Sequence, residues 1–179
     1  MTDLEHTRDA WDNILDEGEK VIWQGRPEGG IVFKPRSIMT FIFGLFFAGF
    51  AFFWMVAAAS AGGFFWTFGL LHFSVGIGLS FGSIFWDVWK RRHTWYTLTD
   101  RRAFIATNLP ISRKQLNSYV IEADTIIDFQ GGYLASINFA HEMRSGKNRK
   151  YRIDIGFQRI KNGDDVYKLM RDIQKKKKP

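Results

Sequence analysis

Fifty consecutive residues, from 37 to 86, contain no Asp, Glu, Lys or Arg. A single helix crosses the hydrocarbon of a bilayer with roughly 17 to 25 apolar residues, so a run of this length broken at Gly62-Gly63 predicts two crossings joined by a tight turn. The spans are expected near 38–59 and 64–86. The competing reading, two core helices of a soluble protein, requires a polar face that the stretch lacks. Its neutral hydroxyls, Ser37, Thr40, Ser60, Thr67, Ser74, Ser80 and Ser83, cost little where they bond backbone carbonyls of their own helix.

The flanks orient the hairpin. Lys34 and Arg36 precede it, Lys90, Arg91 and Arg92 follow it, and the connecting turn is uncharged. The positive-inside rule therefore predicts a multi-pass inner-membrane protein with both termini in the cytoplasm. Trp66 near the outer turn, with Trp86 and Trp89 at the inner boundary, suits the interfacial preference of indole rings. The acidic opening segment, with no apolar stretch before the hairpin, argues against a cleaved signal peptide.

At 179 residues the chain has room for the hairpin and one soluble domain of under about a hundred residues. The absence of cysteine excludes disulfides, thiolate metal sites and cysteine nucleophiles, and agrees with a reducing compartment. The four histidines, His6, His72, His93 and His141, lack ligand spacing, so no metal or other cofactor is expected. The net charge of +7 is uneven: residues 1–36 carry eight acids against five bases, and residues 87–179 twenty bases against ten acids. In a soluble protein that excess would suggest nucleic acid; beside a membrane, the anionic inner leaflet is the nearer polyanion.

Residues 1–17 read as an N-terminal amphipathic helix over 3–15, with Leu4, Trp11, Ile14 and Leu15 loosely on one side. Residues 18–27 carry the first strand, 20–25, and Glu28-Gly29-Gly30 a flexible link into the hairpin. After the hairpin, 93–175 reads as the rest of the soluble domain, with strands at 93–99, 102–107, 116–122, 125–130, 133–141 and 150–157. The last two make the clearest hairpin, around a polar turn at 144–149. Val166, Leu169, Met170 and Ile173 then fall at i, i+3, i+4 and i+7, one apolar stripe of a closing helix, with Asn162 or Asp164 as its cap. Residues 175–179 form a basic tail. The fold class expected is an α+β membrane protein: a transmembrane helical hairpin plus antiparallel strands and a C-terminal helix.

Two segments resemble the bacterial pleckstrin-homology-like group of membrane-anchored proteins. Gly18-Glu19-Lys20-Val21-Ile22-Trp23-Gln24-Gly25-Arg26-Pro27 is similar to the Gly-Glu, aliphatic-Trp-x-Gly-x-Pro opening that precedes the membrane hairpin there. Trp95-Tyr96-Thr97-Leu98-Thr99-Asp100-Arg101-Arg102 is similar to the Tyr-x-Leu-Thr-Asp/Asn-x-Arg segment that reopens the domain after it. The closing Phe157-Gln158-Arg159-Ile160, followed by a helix with Val166 and Tyr167, also fits. The resemblance implies a PH-like fold, a strongly bent antiparallel sheet or open barrel capped by the C-terminal helix, and a structural role for Trp23, Gly25, Arg26, Pro27, Tyr96, Leu98, Thr99, Asp100 and Arg102. It supplies no reaction. No phosphoinositide-reading motif carries over, because the loop that holds it in eukaryotic PH domains corresponds here to the whole stretch from Pro27 to Arg92.

Among individual candidates, Lys90, Arg91 and Arg92 read as a topology signal first and a headgroup-binding patch second. Near an anionic surface the three contribute about 3 kcal/mol, little beside two inserted helices. Lys175, Lys176, Lys177 and Lys178 read as a solvated helix end, with membrane or partner contact as the alternative. Gly44 and Ala48 in the first span, and Ser74, Gly78 and Gly82 in the second, have the spacing for close helix packing, within one chain or in an oligomer. His72 is the one ionisable side chain at membrane depth, where a neutral imidazole bonding Ser or backbone is the bland state. Arg144-Ser145-Gly146-Lys147 lacks the first glycine and following helix of a phosphate loop. Asp100 reads as a turn residue bonding its own backbone.

No catalytic set stands out, so the leading expectation is a non-enzymatic protein displaying a cytoplasmic binding or scaffolding domain. Its partners would be a protein, by strand addition at a sheet edge, or anionic lipid headgroups at a basic face. Two alternatives come from other classes: a small oligomeric transport or channel subunit using His72, and a membrane-tethered nucleic-acid binder.

Overall fold

The computed structural model describes residues 11, 14–32, 34–110, 113–146 and 150–178. The chain divides into two compact units, Gly29–Arg92 and a second built from the segments on either side of it, Met1–Glu28 and His93–Pro179. Most of the N-terminal helix expected over 3–15 lies outside the described residues.

The first unit is two helices. Helix α1 runs Pro35–Ser60, with proline at its start, where the missing N–H costs nothing. Gly62 and Gly63 then take φ of +84° and +81°, a left-handed conformation that glycine adopts without a steric penalty, and the chain reverses. A 3-10 turn, Phe65–Thr67, leads into α2, Phe68–Arg92. This second helix continues past the expected end at 86, because no breaker intervenes and Lys90, Arg91 and Arg92 suit the negative end of its dipole. Over Pro35–Ser60 and Phe65–Gly82 the two helices are long and apolar enough to cross a membrane.

Their seam is made of small residues, though not all of those expected. Gly44, Ala48 and Ala51 are buried, and side chains at Gly44 or Gly76 would run into the facing helix, Gly44 onto Ser80 and Gly76, and Gly76 onto Ala48. Ser80 is fully buried and donates its hydroxyl hydrogen to the Gly76 carbonyl at 2.9 Å. In contrast, Ser74 is exposed, and Gly78 and Gly82 face open space. The expected row was offset from the seam by two residues, which at about 100° per residue is the opposite side of the helix.

The second unit is α+β. Strand β1 (Val21–Gly25) pairs antiparallel with β2 (Thr94–Thr99), which continues through β3 (Arg102–Thr107) to β4 (Gln115–Val120). A second antiparallel sheet contains β5 (Asp128–Gln130), β6 (Ala135–Ser145) and β7 (Lys150–Ile160). Helix α3, Gly163–Lys176, closes the chain. Alternation divides the faces of β2: Tyr96 and Leu98 point into the core, while Trp95 and Thr97 share the other face with Phe104 and Ala106 across the ladder. The core combines Leu98, Ile121, Ile137, Phe157 and Ile160 with Val166, Met170 and Ile173 of α3.

Several boundaries differ from expectation. Strand β5 is short because Thr125 closes a turn on Glu122, its hydroxyl accepting the Glu122 N–H at 2.8 Å and its own N–H donating to the Glu122 carbonyl at 3.2 Å. The β6–β7 hairpin is longer than expected, so Arg144 and Ser145 lie in strand rather than turn. Neither Asn162 nor Asp164 caps α3 as expected. Asn162 sits at the cap position in the left-handed conformation and makes no side-chain cap bond. Helix α3 also extends through Lys176 into the segment expected as a tail.

Candidate functional site

The motif residues either side of the helical unit meet in the strand unit as a buried clasp. Gly18, at φ +75°, turns the chain so that the Glu19 N–H bonds the Asp16 carbonyl at 3.0 Å, while the Glu19 carboxylate accepts the Asp16 N–H at 2.9 Å. The Glu19 side chain is fully buried and pairs with the guanidinium of Arg102 through both carboxylate oxygens. Thr99 lies 2.5 Å from the same carboxylate and gives it its single hydroxyl hydrogen, the charged acceptor being the stronger one. The Thr99 oxygen in turn accepts the Arg102 N–H at 2.8 Å.

Burial by itself raises the Glu19 carboxyl. The hydrogen bonds from Arg102, Thr99 and the Asp16 N–H, with the charge of Arg102, outweigh it and bring the group from 4.5 down to about 2. The Glu19 hydrogen bond moves Arg102 upward. Asp100 does not bond its own backbone as expected; its carboxylate accepts the Lys20 N–H at 3.0 Å and its N–H donates to the Lys20 carbonyl, fastening β1 to the β2–β3 turn. Tyr96 stacks on Phe157 at 4.8 Å between ring centres, and its hydroxyl accepts the Gln158 N–H. Trp23 packs against the same core, 5.3 Å from Phe157. Leu98 is fully buried, Pro27 is buried, and a side chain at Gly25 would strike the Trp23 ring.

A recess of about 290 Å³ opens where β1 and β7 end, lined by Trp23 to Glu28 and by Arg159, Ile160 and Lys161. The Glu28 N–H bonds the Arg159 carbonyl at 2.8 Å and thereby joins its two walls. Three cations, Arg26, Arg159 and Lys161, share the lining with one carboxylate, Glu28, which is 3.9 Å from Lys161. The Arg26 guanidinium lies over the Trp95 ring at 4.7 Å.

Arg26 and Trp95 also border a larger cleft, about 630 Å³, on the outer face of the four-stranded sheet. Trp11, Ile14, Ala106 and Leu116 make it largely apolar, Lys114 adds a second cation, and no carboxylate lines it among the described residues. Trp11 is held there by an edge contact with Phe104 at 5.3 Å. Strand β4, exposed along nearly its whole length, is an edge of this sheet.

The other sequence candidates are dispersed. Arg91 donates to the Gly30 carbonyl at 2.8 Å, which ties one member of the basic trio to the start of the helical unit. Lys175 pairs with Asp172 at 3.1 Å and Lys177 with Glu122 at 3.4 Å, whereas Lys176 and Lys178 are exposed. His72 lies 3.3 Å from the Phe68 carbonyl through Nδ1 and against the rings of Phe47 and Phe68. Among the described residues, no group of His, Asp and Glu could hold a metal ion.

Sequence spacing did not unite Arg26 with Arg159 and Lys161. They are far apart in the chain, and tertiary contacts such as the Glu28 N–H bond to the Arg159 carbonyl and the packing of Trp23 on Phe157 bring them together. Glu19 was visible as part of a motif, but its burial was not, because a carboxylate after a glycine reads as surface until its partner is placed. No family model matches the chain, and no curated protein or solved structure is significantly similar to it.

Proposed function

We propose that this chain is a multi-pass inner-membrane protein, both termini cytoplasmic, that presents a PH-like domain as a non-enzymatic binding or scaffolding module. The observation that carries the reading is the surface of the helical unit. Only 17% of each candidate span is buried within the protein, and Phe43, Phe46, Phe50, Phe53, Phe64 and Phe65 all stand exposed. Helices of a soluble core bury such side chains, and in water so much contiguous apolar surface would drive aggregation, whereas lipid covers it without cost. Cationic residues at the ends of the unit and none at its turn support the orientation.

Among the described residues, seven antiparallel strands followed by a C-terminal helix support the PH-like reading, in keeping with the Gly-Glu and Tyr-x-Leu-Thr-Asp motifs. The clasp explains what those motifs are for. A domain interrupted by a membrane hairpin must rejoin β1 to β2, and Glu19, Thr99, Asp100 and Arg102 fasten that joint. With its motif residues committed to structure, the domain's remaining chemistry is recognition, at the sheet edge, the apolar cleft or the cationic recess, by a protein partner or an anionic headgroup.

The test is extraction and topology. The native protein should resist alkaline extraction from membranes and need detergent for monodispersity, and protease added outside spheroplasts should leave residues 93–179 intact. Monodispersity in plain buffer, or digestion of the C-terminal half from outside, overturns the proposal.

A further inference from the structure

We propose that the recess between the ends of β1 and β7 is a phosphate site, in which Arg26, Arg159 and Lys161 bind a phosphate group carried by a lipid headgroup or a soluble ligand. The inference deepens the binding-module reading and rests on it. Three cations converge on about 290 Å³ with one carboxylate among them, and that carboxylate makes only a 3.9 Å approach to Lys161. Like charges gathered this way repel one another unless an anion neutralises them, and a phosphate is the compact anion whose oxygens match guanidinium forks. The Arg26 guanidinium lies over the Trp95 ring at 4.7 Å, a contact that restricts its rotamers at the edge of the recess.

Arg159 supplies the second line of argument. It has a φ of +53°, a conformation that costs a non-glycine residue free energy and persists only where its surroundings impose it. They do so here: its N–H bonds the Ser136 hydroxyl at 3.2 Å and its carbonyl accepts from Glu28. Its Nε is also buried with no hydrogen-bond partner. A glycine would relieve the strain and a shorter side chain would remove the unpaired nitrogen, so stability alone does not account for an arginine. An anion in the recess, met by the terminal nitrogens of the guanidinium rather than by the buried Nε, does. Pro27 and Glu28, which complete the wall, are the last residues of the strand unit before the helical unit in the chain.

The experiment uses the full chain in phosphatidylcholine nanodiscs, with tryptophan fluorescence followed during titration with inorganic phosphate at constant ionic strength set by chloride. Trp23 lines the site and reports its occupancy. Saturable binding is expected, weakened about tenfold or more in Arg159→Gly and in Lys161→Gln. Arg159→Gly should keep or raise the unfolding temperature, which a purely structural arginine would not allow. Discs that contain phosphatidic acid distinguish the two sources. If they compete with added phosphate, the natural ligand is a headgroup; if they do not, it is soluble, and either result supports the site. Absence of saturable binding, or undiminished binding in the Arg26→Gln, Arg159→Gly, Lys161→Gln triple variant, overturns it. A chain found to be monodisperse without detergent would overturn the membrane reading and leave this titration, run in buffer, still decisive.

Discussion

Glu19 shows how one side chain can fasten segments that are far apart in the sequence. A buried carboxylate held from 4.5 down to about 2 invites a catalytic reading, yet all its partners are supplied from within the protein, and they link β1 to the β2–β3 turn. Replacing it with Gln should cost about 3 kcal/mol, since Arg102 loses its buried carboxylate partner and keeps only the exposed Asp16, 3.1 Å away. The sign with pH follows from the lowered value. The carboxylate's contribution is fully present above about pH 4.5, the value in the unfolded chain, and is lost as pH falls toward 2. Denaturant titrations of the wild-type and Glu19→Gln chains in a neutral detergent should therefore differ most near neutrality and converge in acid. A constant gap across that range would mean that packing rather than charge carries the difference.

At the scale of elements, the two helices illustrate what periodicity can and cannot read. The uncharged run makes both helices legible, and Gly62-Gly63 marks their turn, but an all-apolar helix has no polar face from which to infer rotation. Small residues are then the guide to the seam, and Ser74, Gly78 and Gly82 lie on the side of α2 away from α1. Gly76→Leu is expected to lower hairpin stability by about 1–3 kcal/mol by overpacking against Ala48, while Gly78→Leu should stay within about 0.5 kcal/mol. Thermal unfolding in detergent micelles separates the two. Equal effects would mean that Gly78 meets a second copy of the chain. The strands follow the same logic in reverse: alternation located β2, β3 and the β6–β7 hairpin within a residue or two over most ends, whereas β5 was overestimated because the Glu122–Thr125 turn consumes residues with strand propensity.

For the whole molecule, the joint between β1 and β2 makes a testable claim about modularity. Gly25 stands opposite Tyr96 in the ladder, so the two strands form an antiparallel pair whose connection happens to be the entire helical unit. Replacing residues 29–92 with a short Gly/Ser linker should leave a domain that is monodisperse in plain buffer, with strand and helix content seen by circular dichroism and a cooperative unfolding transition. Persistent aggregation of that variant would show that the domain depends on the helices for its fold.

The sequence by itself determined the two long apolar helices, their turn, the strand-rich character of what flanks them and the amphipathic closing helix, because each is written in local periodicity and in the absence of charge over fifty residues. Which strands share a sheet, that a glutamate after Gly18 is buried against Arg102, which side of α2 meets α1, and that Arg26 joins Arg159 and Lys161 were decided only by tertiary structure. Those outcomes depend on contacts between residues distant in the chain, and neither hydrophobic period nor motif spacing encodes the partner of a side chain that far away.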